Sequence, residues 1–167
     1  MVELREWKTS DAQALSEILN DKRILDNLRD GLPYPYTVND ALFYINSCIS
    51  ADKNAQFCFA IVYNGKVVGS IGVYRQDNIH FMTAELGYYI GAEYWGKGIA
   101  TKAVKFACDY VFENSDIARI YAEPFAENIG SCRVLEKNGF VLEGILRKNA
   151  YKNGKFRDMK LYSLIKD

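Results

Sequence analysis

The sequence predicts a mixed α/β domain, and three observations carry that prediction. The hydrophobic period changes along the chain from helical spacing to strand alternation and back to helical spacing. An Asn64-Gly65 pair, the strongest short hairpin signal, sits between two apolar runs. Strands and helices do not take turns one for one, which excludes a regular βαβ array.

Residues 2–7 alternate apolar and polar, as a short half-buried strand does. Thr9 or Ser10 can cap a helix running to about Asn20, with Ala12, Leu15, Ile18 and Leu19 on one stripe. The segment Leu32-Pro33-Tyr34-Pro35-Tyr36 is non-helical, because each proline biases its predecessor toward extended geometry. Thr37, with Asp40 three residues later, opens a second helix carrying Ala41, Phe43, Tyr44, Ile45 and Ile49. Residues 57–63, 67–74 and 81–90 then read as three antiparallel strands in a meander. From Gly96 the helical period returns, with Ile99, Ala103, Phe106, Ala107 and Tyr110 on one face and Lys102, Lys105 and Asp109 on another. Residues 117–122 form a strand, 128–138 a helix, 140–146 a strand and 158–165 a last strand. The predicted order is β-α-α-β-β-β-α-β-α-β-β.

A chain of 167 residues can bury a core without metal or cross-links. No linker-like stretch or repeat divides it, so residues 1–167 read as a single domain. Lys plus Arg (21) equals Asp plus Glu (21), which argues against nucleic acid or anionic membrane as a partner. His80 is the only histidine, so zinc sites built on several histidines are excluded. Cys48, Cys58, Cys108 and Cys132 lie far apart with no C-x-x-C pair. No metal is therefore expected, and the cysteines read as core filler of a reduced, cytoplasmic protein. Neither a signal peptide nor an apolar run long enough to span a membrane is visible.

The informative segment is Tyr89-Ile90-Gly91-Ala92-Glu93-Tyr94-Trp95-Gly96-Lys97-Gly98-Ile99-Ala100-Thr101. A strand ends, two glycines separated by one residue follow, and an amphipathic helix starts at once. Free N–H groups and the positive end of the helix dipole converge there, as a site for phosphate oxygens requires. Glycine lets a pyrophosphate approach the main chain without a Cβ in the way. The competing reading is a turn whose glycines only satisfy backbone geometry. The P-loop pattern fails at Gly98, where a Ser or Thr would hold magnesium, and the dinucleotide pattern fails at Thr101, where a third glycine would stand.

A second segment, Asn128-Ile129-Gly130-Ser131-Cys132-Arg133-Val134-Leu135-Glu136-Lys137-Asn138-Gly139-Phe140, is a capped helix that ends at a glycine and leads into a strand. Read alone, Asn128 simply caps the N–H of Ser131. In this order and spacing, the two segments resemble the GNAT superfamily of acetyl-CoA-dependent N-acetyltransferases. Trp95-Gly96-Lys97-Gly98-Ile99-Ala100 is similar to that superfamily's Q/R-x-x-G-x-G/A pyrophosphate loop, and Asn128-x-x-Ser131 to its second acetyl-CoA motif. The tail, Leu142-Glu143-Gly144-Ile145-Leu146-Arg147 with Asn153-Gly154-Lys155 and Asp158-Met159-Lys160-Leu161-Tyr162, is similar to the RimJ/RimL-type branch, which contains enzymes acetylating N-terminal amines of ribosomal proteins. The close match runs from Phe81 onward; the first 80 residues agree in element order only.

The resemblance implies a central twisted, mostly antiparallel sheet of about seven strands flanked by about four helices. It also implies direct acetyl transfer from acetyl-CoA to a primary amine, a protein N-terminus or a small molecule, by a monomer or homodimer. On that reading the amides of Trp95, Gly96, Lys97, Gly98, Ile99, Ala100 and Thr101 hold the pyrophosphate. The main chain of Tyr88, Tyr89 and Ile90 pairs with the pantetheine arm beside a splay between strands. Asn128 and Ser131 bond the pantetheine or the sulfur, with Ser131 as partner of the leaving thiolate. Leu135 stands where many members carry a proton-donating tyrosine, and Ala150 where some of the branch place a glutamate base.

Strand alternation puts Glu85 on one face with Phe81, Thr83, Gly87 and Tyr89, while Leu86, Tyr88 and Ile90 point the other way. A carboxylate amid apolar strand residues needs a partner, which makes Glu85 the general-base candidate against a solvent-facing or lysine-paired alternative. An α-amine is roughly 10% neutral at pH 7 and a lysine below ~0.1%, so a single carboxylate favours an α-amine acceptor. Tyr34, Tyr36 and Leu32 beside two prolines, with Tyr151 opposite, form the candidate acceptor walls. Acetylation of polyamines, antibiotics or other small amines, and a non-catalytic acyl-CoA-sensing module, are the alternatives.

Overall fold

The computed structural model describes residues 1–167. A seven-stranded sheet in the order β1-β2-β3-β4-β5-β7-β6 carries helices on both faces. Strand β1 (Val2–Arg5) is the first edge. Its neighbour β2 (Gln56–Tyr63) turns through Asn64 (φ 49°) and Gly65 (φ 81°) into β3 (Lys66–Arg75), and β4 (Thr83–Ile90) completes the meander. Both central turn residues have positive φ, as the Asn-Gly signal demands. Strand β4 starts two residues later than expected, because residues Asn78–His80 form a 3₁₀ turn that leaves Phe81 exposed.

Helix α1 (Ala12–Leu19) follows a 3₁₀ turn at Thr9–Asp11. Neither Thr9 nor Ser10 caps it; Asp11 accepts from the Lys8 amide (2.9 Å) and pairs with Arg5 (2.8 Å), so a carboxylate organises the turn. A one-turn helix, α2 (Lys22–Leu25), is capped by Asp21 on the Arg23 amide (2.9 Å). Its four residues are too few to show a period, and the sequence does not announce it. Helix α3 (Val38–Ile49) opens on the expected reciprocal cap, with Thr37 and Asp40 each accepting from the other's amide (3.1 and 2.8 Å).

Helix α4 (Ile99–Asn114) buries Ile99, Ala103, Val104, Ala107, Cys108 and Val111. Phe106 and Tyr110, expected on that face, fall on its flank and stay exposed, with Tyr110 edge-on to Phe59 at 5.3 Å. Strand β5 (Arg119–Ala122) lies parallel to β4, the only parallel pairing in the sheet. Helix α5 (Ile129–Lys137) follows, then a long hairpin of β6 (Val141–Lys152) and β7 (Lys155–Ile165). Both strands are longer than expected, because the register shift between Leu146 and Ala150, with Lys148 at φ 52°, breaks the alternation that marks a strand. The helices thus number five, one more than expected, and the element order otherwise follows the prediction.

Successive residues of β2 divide the core. Phe57 and Ile61 join Ile71, Leu86, Ile120, Leu135 and Tyr162 under α4 and α5, whereas Ala60 joins Leu15, Leu19, Ala41 and Ile45 under α1 and α3. Each buried Leu or Ile contributes roughly 1.5–3 kcal/mol, which clamps the sheet between two helical layers. Cys48, Cys108 and Cys132 are buried and Cys58 half-buried, all as free thiols.

Candidate active site

Strands β4 and β5 part. They pair only at Thr83, Ala84 and Glu85, against Arg119, Ile120 and Tyr121. Beyond that point β4 continues to Ile90, while β5 ends at Ala122. Gln76 donates to the Thr83 carbonyl (2.9 Å) and Gly91 to the Val68 carbonyl (2.8 Å), so odd-numbered residues of β4 turn their main chain toward β3. Alternation then aims the N–H and C=O groups of Tyr88 and Ile90 into the gap. The main chain of Tyr89 lies opposite Ser70 on β3, and its half-buried ring packs against the core cluster under α1 and α3. Tyr89 therefore leaves the set expected to pair with the arm.

The turn after β4 is built around its two glycines. Gly96 (φ 75°) and Gly98 (φ 72°) both adopt left-handed geometry, and an added Cβ at either would meet open space. The amides of residues 96–101 donate to no protein acceptor; Lys102, bonded to the Gly98 carbonyl at 3.2 Å, is the first to be engaged. Six consecutive N–H groups at the positive end of a sixteen-residue helix are thus free to bind oxygen anions. Trp95 corrects the expectation that it contributes an amide. Its N–H is held by the Ala92 carbonyl (3.2 Å) and its indole by the Ile90 carbonyl (2.9 Å), so it braces the loop onto β4. Lys97 folds over the Tyr94 ring at 5.2 Å, and Lys102 is exposed.

Glu85 faces the opposite layer from Tyr88, as alternation predicts. Its carboxylate pairs with Arg29 from the loop after α2, and the Tyr121 hydroxyl approaches it at 3.5 Å. The same guanidinium lies 4.0 Å from Glu123, just past β5. Burial, then the charge of Glu85, raises the Glu123 carboxyl above its ordinary range, and Arg29 only partly offsets this. Sequence reasoning missed Arg29 and Glu123. Neither lies in a motif, and only the folded sheet brings residues from these distant segments together.

On the other side of the gap, Ser131 occupies the first turn of α5. Its amide donates to Asn128 Oδ1 (3.2 Å), so the cap is real, and the Nδ2 of Asn128 is left for a ligand. Ser131 Oγ lies 2.7 Å from the Tyr88 hydroxyl. Leu135, one turn further on, is fully buried and lends the site nothing polar.

A cavity of about 450 Å³ opens where Arg29 meets the β6–β7 hairpin, lined by Lys22, Asp26, Asp30, Tyr34, Lys152 and Asn153 among others. Lys152 reaches Asp30 (3.0 Å), Asn153 reaches Asp26 (3.1 Å), and Arg157 donates to the Asp26 carbonyl (2.7 Å). Tyr34 lines the cavity as expected, but Tyr36 and Tyr151 do not. Tyr36 is buried, with its amide on Asn20 Oδ1 (2.7 Å) and its hydroxyl on the Asp40 carbonyl (3.3 Å). Tyr151 points away and stacks edge-on against Phe156 at 5.1 Å, leaving its neighbours Lys152 and Asn153 as the wall.

An open row of amides at a helix start, beside a parted pair of strands, defines a protein built to hold an oxygen anion next to a gap in its sheet. The chain belongs to the acetyltransferase (GNAT) domain family, whose model matches residues 2–141. It is 34% identical over 116 residues, 68% of this chain and 64% of that protein's length, to the probable N-acetyltransferase YjcK of Bacillus subtilis. The fold matches the ribosomal-protein-S5-alanine acetyltransferase of Vibrio fischeri with a TM-score of 0.88 and 28% identity, covering 99% of this chain and 93% of that one. It also matches the spermidine N-acetyltransferase of Vibrio cholerae, solved with CoA and spermine, with a TM-score of 0.82 and 25% identity over 98% of this chain and 95% of that one. The GNAT fold expected from the two motifs is the fold observed. No helix is long and apolar enough to cross a membrane.

Proposed function

We propose that residues 1–167 act as one N-acetyltransferase domain that moves the acetyl group of acetyl-CoA directly to a primary amine, with a protein N-terminal α-amine as the acceptor. The free amides of residues 96–101 carry this reading: the turn offers a diphosphate six donors and no competing acceptor. From there the arm runs along β4, where the main chain of Tyr88 and the N–H of Ile90 can pair with it, the Ile90 carbonyl being held by the Trp95 indole, and a backbone N–H can hold the developing oxyanion. The amine enters from the opposite layer, through the cavity beside Arg29.

Division of labour follows from the sheet. Glu85 stands on the amine side and accepts the proton, directly or through water, as the C–N bond forms. Ser131 stands on the carrier side and bonds the sulfur as the C–S bond breaks. The first turn of α5 adds the favourable end of its dipole. An α-amine is already roughly 10% neutral at pH 7, which suits a site with two carboxylates and an arginine rather than a strong base.

Asp26 and Asp30 in the cavity, with Glu85 and Glu123 behind it, favour a second reading in which the acceptor is a polyamine. A panel of N-terminal peptides, lysine peptides and spermidine, incubated with acetyl-CoA and read by mass spectrometry, separates the two. Acetylation confined to peptide α-amines is expected. Faster turnover of spermidine would transfer the assignment to polyamines, and no release of CoA thiol with any amine would refute acetyl transfer.

A further inference from the structure

Tyr88 lends its main chain to the proposed carrier site, and its side chain ends in a hydroxyl within hydrogen-bond distance of Ser131, the residue proposed to meet the sulfur. Both contacts of the phenol come from Ser131: Oγ at 2.7 Å and the carbonyl at 3.3 Å. Either hydroxyl can donate across the 2.7 Å contact, whereas only the phenol can donate to the carbonyl. The phenol has one hydrogen, and 3.3 Å is long for an O–H···O bond, so that hydrogen is assigned to Oγ. Burial raises the phenol well above its ordinary value, with the Ser131 bond only partly offsetting it, so Tyr88 remains a donor throughout the working pH range. The Ser131 amide is already held by Asn128. With the phenol as donor to Oγ, what is left uncommitted on Ser131 is its own hydroxyl hydrogen.

We infer that Tyr88 is a positioning residue for Ser131: its phenol donates to Ser131 Oγ, and the serine hydrogen is thereby directed into the gap to hold the sulfur of departing CoA. The inference rests on the acetyl-transfer reading. Amine nitrogen attacks the thioester carbon, the C–N bond forms, and the C–S bond breaks with its electron pair on sulfur. The amine proton passes to Glu85 or water. Sulfur leaves as a thiolate bonded to Ser131 and is protonated by water, so neither Ser131 nor Tyr88 has to become an anion. A hydrogen bond received from Tyr88 polarises the serine O–H and makes it a better donor. The arrangement also explains how a chain with Leu135 in the usual tyrosine position can support a leaving thiolate: the tyrosine hydroxyl comes from β4 and acts through a serine.

The test is a double-mutant cycle with two readouts. Tyr88→Phe keeps the ring and removes only the hydroxyl. It should lower kcat about tenfold with the KM for acetyl-CoA unchanged, Ser131→Ala should do the same, and the double variant should fall no further. The second readout needs no turnover: the thiol of bound CoA is titrated by its thiolate absorbance, taken as a difference against the desulfo-CoA complex. That difference removes the absorbance of the nearby Cys108 and Cys132 thiols. In wild type the bound thiol should titrate about one unit lower than in either variant, and the two variants should agree. Additive losses, or bound CoA whose titration ignores Tyr88→Phe, would overturn this inference while leaving acetyl transfer intact. Failure of wild type to bind CoA would overturn the proposed function itself, and this inference with it.

Discussion

Arg29 and Glu85, 56 residues apart in the chain, form an ion pair where the gap between β4 and β5 begins. The pair occurs at the last point where the two strands still match, and Glu123 lies within reach of the same guanidinium. The proposed base is thereby held by a group from a loop that also lines the cavity of about 450 Å³.

Replacing Glu85 with Gln should lower kcat by about 10²-fold at pH 7, the lower range for loss of a general base. The neutral fraction of an α-amine is roughly 10% at that pH and grows as pH rises toward its pKa. The deficit should therefore shrink between pH 7 and 9. A deficit that stays constant in a kcat–pH profile would mean that Glu85 acts structurally.

Gly98 sits at φ 72° with open space where a Cβ would stand, so Gly98→Ala is a test of backbone conformation rather than of steric collision. Left-handed geometry costs an L-residue about 1–2 kcal/mol. Relief of that strain would swing the free amides off the diphosphate. The KM for acetyl-CoA should rise about tenfold with kcat little changed, and Tm should fall by roughly 2–8 °C. An unchanged KM would count against the amide row as the carrier site.

Asp11 offers a pH test of stability. Burial pushes its carboxyl up, but the Arg5 hydrogen bonds and the Lys8 amide outweigh burial and hold it below the ordinary range. A folded value below the unfolded one gives stability that is present above the unfolded value of about 4 and is lost as pH falls through the folded one. Asp11→Asn should therefore lower Tm by several degrees at pH 7, and calorimetry should show the difference closing as pH falls below about 4. A gap that persists undiminished at low pH would show that the carboxylate charge is not the cause.

Asp30 partners a buried lysine, Lys152, across the cavity proposed to admit the amine. Removing the carboxylate leaves that ammonium without its partner and loosens the hairpin from the α2 loop. Asp30→Asn should raise the KM for the amine roughly 3–10-fold and leave the KM for acetyl-CoA unaffected, as measured by initial rates with each substrate varied. Equal effects on both would place the cavity outside the acceptor path.

Local signals were the legible ones. Thr37 with Asp40 specified a cap, Asn64-Gly65 a hairpin, and Gly96 with Gly98 a turn that needs positive φ; each depends on residues a few positions apart, and each is present as read. Reading fell short where a neighbour in space overrode a local preference. Tyr36 is aromatic and flanked by a proline, which suggested an exposed wall, but Asn20 and Asp40 draw it into the core. Trp95 lies in the loop as expected, yet its amide is taken by Ala92.

By itself, the amino-acid order determined the class of domain, the element order apart from the one-turn helix α2, and the turn at which a carrier phosphate can be met. Those follow from periodicity and from backbone conformations that few residues tolerate. Only the tertiary structure decided which side chains face one another across the parted strands. Arg29 with Glu85 and Glu123, and Tyr88 with Ser131, come from segments whose separation along the chain carries no period. Their meeting is set by sheet register and by which layer each strand face confronts, and neither is a local property of the chain.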